Sequence, residues 1–301
     1  MNWYTEYRNS LKMPEVEELF DLFFYRPLAF LLVKLVYRTP ITPNQLTIAA
    51  IVAGIAAGCF YAEGSPAYVA YGAVLFLLHN IIDCSDGQLA RLKKNGTRAG
   101  RIIDGLADYI SRGAVFIGLG IGHADHQYSL SLWWLLVVIT GISNLIHAAL
   151  LDYYHNRFLD HVLQRKNTFE EDLDAFKEEY NAMKGQKNKW LDRFIILAYF
   201  EYLSLQTKIT GKKEGEKLFQ TTPQDYYQRN RVAVKFWTLI GPSSQATALI
   251  ICSFIHRFDI YFWAMIAGFN AITAVLWLIQ RNIDKTFELQ DASGRPVLKQ
   301  Y

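Results

Sequence analysis

Two neighbouring stretches of the sequence decide the fold: Asp83-Cys84-Ser85-Asp86-Gly87-Gln88-Leu89-Ala90-Arg91 and Gly100-Arg101-Ile102-Ile103-Asp104-Gly105-Leu106-Ala107-Asp108. The first stretch ends an apolar run that begins near Ala67, and the second opens an apolar run that ends near Gly122. Each run is close to the roughly 20 residues that a helix needs to cross the hydrocarbon of a bilayer. The sequence therefore predicts two antiparallel membrane helices that carry four acidic residues at one end.

The rest of the chain is organised in the same way, as apolar runs separated by polar segments. Of its 301 residues, 51% are hydrophobic and 20% are charged, and the charges are concentrated in a few segments. A soluble domain would distribute charge along every element, because each element has a face in water. Six runs have the length of a membrane span, at about 46–62, 67–90, 100–122, 132–154, 232–254 and 260–279. The predicted fold class is an all-α integral membrane protein with about six transmembrane helices.

The N-terminal region, residues 1–40, precedes the first span and has a different pattern. A polar stretch is followed by an apolar run, 19–37, that contains Arg26 and Lys34. Basic residues within an apolar face favour an amphipathic helix that lies in the membrane interface. A short tilted span stays the alternative interpretation of this run.

The polar segment 155–231 separates the fourth span from the fifth. It divides the chain into residues 41–154, with four spans and the acidic stretches, and residues 232–301, with two spans and a tail. We expect the segment to be a cytoplasmic helical insert, with a charged helix at 170–184 and an amphipathic helix at 190–205.

Lysine and arginine are distributed unequally between the two sides of the predicted membrane. With six spans, the loops on one side contain a single basic residue, Arg257. The other side receives the remaining basic residues, counting Arg101 and Lys235 at the span ends that face it and leaving out Arg112, deeper in the third span. The positive-inside rule then predicts that both termini and the acidic ends of the second and third spans face the cytoplasm.

Other classes of protein are disfavoured by the overall charge and by the cysteines. The net charge of +3 is too small to indicate a nucleic-acid partner. The three cysteines lie far apart in the sequence and indicate neither a disulfide framework nor a zinc site.

The four acidic residues have the spacing of a metal site. Asp83 and Asp86 are three residues apart and Asp104 and Asp108 are four apart, so each pair shares one face of its helix. Four carboxylates near hydrocarbon repel one another and lose hydration, so a cation must compensate them. Carboxylate oxygens suit Mg²⁺ or Mn²⁺, with substrate phosphates completing the coordination. Small and basic residues nearby indicate a site for a nucleotide diphosphate.

This stretch resembles the signature of the CDP-alcohol phosphotransferase family (class I CDP-alcohol phosphatidyltransferases), which is D-x2-D-G-x2-A-R-x8-G-x3-D-x3-D. Every fixed position of the signature is matched without a gap. The segments Thr42-Pro43-Asn44 and Leu46-Thr47 ahead of the first span also resemble the family. The resemblance covers roughly residues 40–122.

The resemblance implies a role for each matched residue. Asp83, Asp86 and Asp104 would hold divalent metal against the donor pyrophosphate. Asp108 would take the proton of the attacking hydroxyl and share a second metal ion. Gly87, Ala90 and Gly100 would shape the cytidine pocket, and Arg91 would lie near the nucleotide phosphates. The reaction would be attack on the β-phosphorus of a CDP-activated donor, with CMP leaving, in phospholipid synthesis.

The acceptor alcohol is indicated only by basic residues that we expect near the predicted nucleotide site. Arg112 follows Asp108 by one helical turn and would bind an acceptor phosphate or pair with Asp108. Arg229, Arg231 and Lys235 open the fifth span and would bind an anionic acceptor or lipid headgroups. These residues favour CDP-diacylglycerol as donor and a polyol or polyol phosphate as acceptor, with an inositol-type acceptor first.

Two alternative functions stay open on the sequence alone. A CDP-choline or CDP-ethanolamine phosphotransferase would act on diacylglycerol with the same signature. A membrane ion transporter would also place acidic residues within its spans, although the adjoining Gly, Ala and Arg positions disfavour it. Whether the chain forms a homodimer stays open as well.

Overall fold

A computed structural model describes residues 3–94, 98–123, 127–164 and 221–288, and for residues 98–103 and 288 it describes the backbone alone. All secondary-structure elements of the described residues are helices. The α-helices are α1 (Trp3–Ser10), α2 (Arg26–Val36), α3 (Pro43–Ala62), α4 (Pro66–Lys93), α5 (Arg98–Gly122), α6 (Leu130–Val162), α7 (Pro223–Trp237), α8 (Pro242–Phe254), α9 (Phe258–Trp263) and α10 (Asn270–Glu288). Short turns of π-helix, Asp21–Tyr25 and Ala264–Phe269, precede α2 and α10. The all-α prediction is confirmed for the part of the chain that the structure describes.

Four helical segments of the described chain are long and apolar enough to cross a membrane: Pro43–Ala62, Pro66–Lys93, Leu130–Val162 and Phe258–Phe287. They coincide with the predicted first, second, fourth and sixth spans. The predicted third span coincides with α5, which is 25 residues long but carries five charged side chains. The total of six spans stays a prediction.

The start of α3 follows directly from its sequence. The Thr42 hydroxyl accepts a hydrogen bond from the backbone N–H of Gln45 at 3.3 Å, and the Gln45 side-chain carbonyl accepts one from the backbone N–H of Thr42 at 3.0 Å. This reciprocal capping box satisfies two backbone donors that a helix start otherwise leaves without partners. Pro43 at the first helical position lacks an N–H that would need a partner there. The first turn of α3 is therefore fixed.

The predicted fifth span, 232–254, was expected to be one continuous helix, and this is wrong. The structure has two helices there, because α7 ends at Trp237 and α8 begins at Pro242. A single 3₁₀ turn, Thr238–Ile240, lies between them. Proline cannot donate to the preceding turn, and its ring clashes with the carbonyl four residues back. Pro242 is consequently the start of a new helix.

The fourth predicted span extends further than expected. The predicted end was near Tyr154, but α6 continues to Val162 and is 33 residues long. No glycine or proline occurs after Gly141 to end this helix earlier, and its last turns bury Phe158, Asp160 and His161. The predicted insert therefore begins as a continuation of α6. Residues 165–220, with both predicted helices of the insert, lie outside the described residues.

The chain divides into two compact units, Met1–Leu145 with Gly241–Asn270, and Ile146–Ile240 with Ala271–Tyr301. In the first unit, α3 packs closely against α4 and α5. A Cβ atom on Gly118 of α5 would collide with the carbonyl of Gly58 on α3, so the two backbones touch at this crossing. Glycine at this crossing permits the close approach of the two helices.

Polar contacts hold the helices of the second unit together. Arg157 Nη1 lies 2.8 Å from Asp284 Oδ2, which joins α6 to α10 by an ion pair. The Gln280 side chain donates to the Asn230 side-chain oxygen at 2.8 Å, which joins α10 to α7.

The N-terminal residues pack against α2 and α4. Phe30 of α2 contacts the rings of Trp3 and Tyr7 edge-on, with centroids 5.2 Å away in both cases. Arg26 was expected to face a membrane interface, but it is buried and its Nε lies 3.1 Å from Glu17 Oε2. The apolar run could not reveal this partner, because Glu17 lies in the polar stretch before it.

Candidate active site

The acidic cluster is formed by three of the predicted aspartates. Asp83 and Asp86 lie near the end of α4, and Asp104 lies near the start of α5. One carboxylate oxygen from each of them lies within 4.8 Å of the other two. This is the only group of three or more such ligands among the described residues. Three hard oxygen ligands at this separation suit a divalent cation such as Mg²⁺ or Mn²⁺.

The surroundings of Asp83 fit a bound cation. Its Oδ1 is buried and has no hydrogen-bond partner among the described residues. A buried carboxylate oxygen without a donor or a cation is costly, because it has lost its water without a replacement. A cation between the three carboxylates would remove this cost. The residues present therefore fit a divalent metal.

Asp86 is the most deeply buried of the three, with 4% of its surface exposed. Its Oδ2 is hydrogen-bonded to the hydroxyl of Thr47, which lies on α3 and is also buried. Sequence reasoning had not given Thr47 a role in the site. The segment Leu46-Thr47 was noticed for its resemblance to the family, but its partner on α4 is 39 residues away.

Asp108 lies one turn after Asp104 on α5, outside the group of three, and has different neighbours. Arg112 Nη2 lies 3.8 Å from Asp108 Oδ1, and His79 Nε2 lies 3.6 Å from the same oxygen. Arg112 Nη1 also donates to the carbonyl of Pro242 at 3.3 Å. Of the two predicted roles for Arg112, the structure contains the pairing with Asp108. His79 was not predicted, although it lies one turn before Asp83 on the same helix.

The predicted nucleotide residues lie beside the acidic cluster. A Cβ atom on Gly87 would be 3.4 Å from Arg91 Nη2, and one on Gly105 would meet nothing within 4 Å. Arg91 donates from Nε to the carbonyl of Ser10 at the end of α1, while its Nη2 is buried without a hydrogen-bond partner among the described residues. Ala90 is half-buried on α4. Gly100 lies in the part of α5 that is described by its backbone alone.

The other predicted acceptor residues lie on α7, in the second unit. Arg229 Nε lies 3.0 Å from Asp225 Oδ1, its Nη1 donates to the Thr286 hydroxyl at 3.2 Å, and its guanidinium lies over the ring of Phe287. Arg231 is exposed and Lys235 is half-buried. A role of these three residues in acceptor binding stays a prediction.

A further set of acidic side chains, from the N-terminal segment, was not predicted to be near the site. Glu18 Oε2 accepts from the backbone N–H of Ser243 at 2.9 Å, and Asp21 Oδ1 accepts from the Ser243 hydroxyl at 2.6 Å. Asp21 also contacts the thiol of Cys84, next to Asp83. Burial, with the charge of Asp21, raises the pKa of Glu18 to about 8. The only signal in the sequence was a cluster of acids just before an apolar run.

The family resemblance is confirmed by comparison with known proteins, because residues 40–166 match the family model described as CDP-alcohol phosphatidyltransferase. The matched region contains all four aspartates. The chain is similar to phosphatidylinositol phosphate synthase of Corynebacterium glutamicum, with 29% identity over 132 residues that cover 44% of this chain and 54% of that protein.

The chain is also similar to two other curated proteins. The phosphatidylinositol phosphate synthase of Mycobacterium tuberculosis is 32% identical over 98 residues, which cover 33% of this chain and 39% of that protein. Inner membrane protein YnjF of Escherichia coli is 35% identical over 127 residues, which cover 42% of this chain and 59% of that protein. The chain thus spans about half the length of the curated relatives it matches.

Proposed function

Because residues 40–166 are a CDP-alcohol phosphatidyltransferase domain, we propose that this chain transfers the phosphatidyl group of CDP-diacylglycerol to a polyol or polyol phosphate and releases CMP. An inositol-type acceptor is the first candidate. Two of the relatives are named phosphatidylinositol phosphate synthase, which supports this choice of acceptor. The proposed activity belongs to phospholipid synthesis.

The observation that carries the proposal is the buried Asp83 oxygen, which lies beside the carboxylates of Asp86 and Asp104 and has no hydrogen-bond partner in the part of the chain that the structure describes. These three side chains would hold Mg²⁺ or Mn²⁺, and Asp108 would share a second ion. When bound, the metal would neutralise the charge that builds on the donor pyrophosphate and the leaving CMP. The protein contributes the fixed positions of the ligands at the ends of two packed helices.

Asp108 is the proposed general base. It would take the proton of the acceptor hydroxyl as that oxygen forms a bond to the β-phosphorus of the donor. The bond from this phosphorus to the bridging oxygen breaks, and its electron pair leaves with CMP. A positioned carboxylate contributes roughly 10²–10⁴-fold to such a step. The ion pair with Arg112 and the nearby His79 orient Asp108 for this task.

Substrate binding is assigned to residues around the aspartates. Gly87, Ala90 and Gly100 would shape the cytidine pocket. Arg91 Nη2, which has no hydrogen-bond partner among the described residues, would contact a nucleotide phosphate. The candidate ligands for an acceptor phosphate are Arg112, Arg229, Arg231 and Lys235.

The chain is an integral membrane protein, since it has four apolar helices of membrane length and matches a membrane enzyme family. We propose six spans in total, with α5 as one of them, and an active site and both termini on the cytoplasmic side. The unequal distribution of lysine and arginine supports this orientation.

Release of CMP by the purified full chain in lipid nanodiscs, with Mg²⁺ or Mn²⁺ present, tests the proposal. CDP-diacylglycerol is offered with inositol, inositol phosphate, glycerol phosphate or serine, and CDP-choline or CDP-ethanolamine is offered with diacylglycerol. We expect release with CDP-diacylglycerol and an inositol-type acceptor. Release only with CDP-choline or CDP-ethanolamine would favour the alternative phosphotransferase.

Matched variants separate the chemistry from general damage. Asp108→Asn should abolish the release of CMP, while Asp259→Asn, at a surface pair with Arg257, should leave it intact. A chain that released CMP from no donor but carried ions into liposomes would be a transporter, and the proposal would be wrong.

A further inference from the structure

Thr47 lies near the beginning of α3 and faces Asp86, the member of the acidic cluster that it contacts on α4. Only 3% of its surface is exposed, and its hydroxyl is hydrogen-bonded to Asp86 Oδ2. Asp86 is itself 4% exposed. The pair is therefore closed off from water, and a hydrogen bond between a neutral donor and a carboxylate is stronger there than at the surface.

The chemistry of the two groups decides which of them donates. A carboxylate must be ionised to ligate a metal, and an ionised carboxylate only accepts hydrogen bonds. The Thr47 hydroxyl has one proton, and its other neighbour is the carbonyl of Pro43 at 3.2 Å, also an acceptor. The contact with Asp86 is the shorter of the two. Thr47 therefore donates its proton to Asp86 when the carboxylate is ionised.

The position of the Thr47 hydroxyl is fixed independently of Asp86. The first turn of α3 is held by the capping box of Thr42 and Gln45 and by Pro43. A β-branched side chain has few rotamers available within a helix, so the hydroxyl of Thr47 has little freedom of its own. The position of the Thr47 hydroxyl on α3 thus fixes the position of Asp86 Oδ2. The orientation of the whole Asp86 carboxylate is thereby restricted.

We propose that Thr47 is a positioning residue for the metal site, which orients Asp86 toward the cation that Asp83 and Asp104 also hold. This inference rests on the proposed function insofar as it requires a divalent ion at the acidic cluster. Partners that orient a metal ligand commonly change the affinity for the metal by roughly 10–100-fold when they are removed. Thr47 does not touch the ion or the substrate in this role.

The test measures binding of Mn²⁺ to the full chain by electron paramagnetic resonance, without any substrate. Thr47→Val keeps the shape of the side chain and removes the donor, and Thr47→Ser keeps the donor. Thr247→Val is the matched control, because it also removes a threonine hydroxyl that joins two helical segments. The Thr247 hydroxyl, on α8, lies 3.0 Å from the Tyr25 hydroxyl at the end of the π-helical turn before α2. Thr47→Ala replaces Thr47→Val if that variant does not fold.

We expect Thr47→Val to raise the dissociation constant for Mn²⁺ about tenfold or more, while Thr47→Ser and Thr247→Val stay within about threefold of the unmodified chain. Thermal unfolding of the metal-free proteins distinguishes positioning from a general structural role. In the metal-free state, Thr47→Val and Thr247→Val should lose similar thermal stability. Only Thr47→Val should lose affinity for Mn²⁺.

Equal Mn²⁺ affinity of Thr47→Val and Thr247→Val would overturn the proposal, and so would an equal loss in Thr47→Ser and Thr47→Val. An unmodified chain that binds no Mn²⁺ would overturn it too. If Mn²⁺ binds and Thr47→Val weakens it while no donor yields CMP, the proposed function fails and the role of Thr47 stands.

Discussion

His79 Nε2 lies 3.6 Å from Asp108 Oδ1, while Nδ1 of the same ring lies 2.9 Å from the carbonyl oxygen of Ala50. A carbonyl only accepts hydrogen bonds, so Nδ1 carries a proton and donates it to Ala50. The ring also stacks on Phe76, with centroids 5.6 Å apart and planes 5° from parallel. These contacts fix the imidazole with Nε2 facing Asp108.

Replacement of His79 by phenylalanine should lower turnover without disturbing donor binding. Phenylalanine keeps the stacking on Phe76 but removes both ring nitrogens, so Asp108 loses one neighbour that orients it. We expect kcat to fall about tenfold or more, and KM for CDP-diacylglycerol to change less than about threefold. Steady-state release of CMP measures both constants.

His161→Phe is the control for this substitution, because His161 is a buried histidine of the second unit that stacks on Tyr226. It should leave both constants near those of the unmodified chain. An unchanged kcat in His79→Phe would mean that His79 only fills space beside Asp108.

Asp83→Asn and Asp108→Asn should have different effects, because only Asp83 belongs to the group of three carboxylates. Asp108→Asn removes the proposed base and should lower kcat by roughly 10²–10⁴-fold. Metal-dependent binding of CDP-diacylglycerol should survive in this variant. Asp83→Asn should weaken both turnover and binding. Binding measured by fluorescence with a labelled donor, beside CMP release, distinguishes the two, and near-normal turnover in Asp108→Asn would contradict the assignment.

The pKa of Glu18 predicts how stability depends on pH. Its value in the folded chain, about 8, lies above the ordinary value of 4.5, because burial disfavours the ionised carboxylate. The contribution of Glu18 to stability is therefore complete below the ordinary value and is lost as the pH rises to about 8. The melting temperature of the unmodified chain should therefore fall between about pH 4.5 and about pH 8.

Glu18→Gln should reduce the slope of this decline, because glutamine is uncharged and its carbonyl can still accept from the Ser243 N–H. A shallower slope, not its disappearance, is expected, since burial raises the pKa of Asp21 as well. Glu63→Gln, at an exposed glutamate, should leave the slope unchanged. Identical slopes in all three proteins would contradict the prediction.

The crossing of α3 and α5 predicts opposite outcomes for the same substitution at two glycines. In Gly118→Ala the new methyl group would collide with the carbonyl of Gly58, so the helices must separate and stability must fall. In Gly113→Ala the methyl group meets nothing within 4 Å. This variant should be as stable as the unmodified chain or gain up to about 1 kcal/mol. Thermal unfolding in detergent compares them, and equal stability would contradict the observed contact.

The sequence was sufficient for features that depend on near neighbours in the chain. The spacing of Asp83, Asp86 and Asp104 on two consecutive apolar helices was enough to predict that their carboxylates meet. Arg112 lies one turn from Asp108, so their pairing was among the predicted alternatives. Helical periodicity places the acids of each helix on one face, and the few residues between the two helices bring their acidic ends together.

Contacts between distant parts of the chain could not be predicted in this way. Thr47 and His79 each have an ordinary place in an apolar helix, and only the packing of α3, α4 and α5 brings them to the aspartates. Glu18 is near Ser243, 225 residues away, because the N-terminal segment contacts the start of α8. Periodicity does not indicate which faces of two helices will meet, because many faces are equally apolar.

The length of α4 has a consequence for how the chain would meet the proposed lipid donor. Its 28 residues rise about 42 Å at roughly 1.5 Å per residue, which exceeds the roughly 30 Å of hydrocarbon in a bilayer. Asp83 and Asp86 lie in the second half of this helix, so with α4 spanning the bilayer we expect them near the depth of the headgroups. A donor lipid can present its diphosphate there while its acyl chains stay among their neighbours. The reaction is then confined to a surface, and its rate should follow the mole fraction of donor in the bilayer rather than its concentration in the suspension.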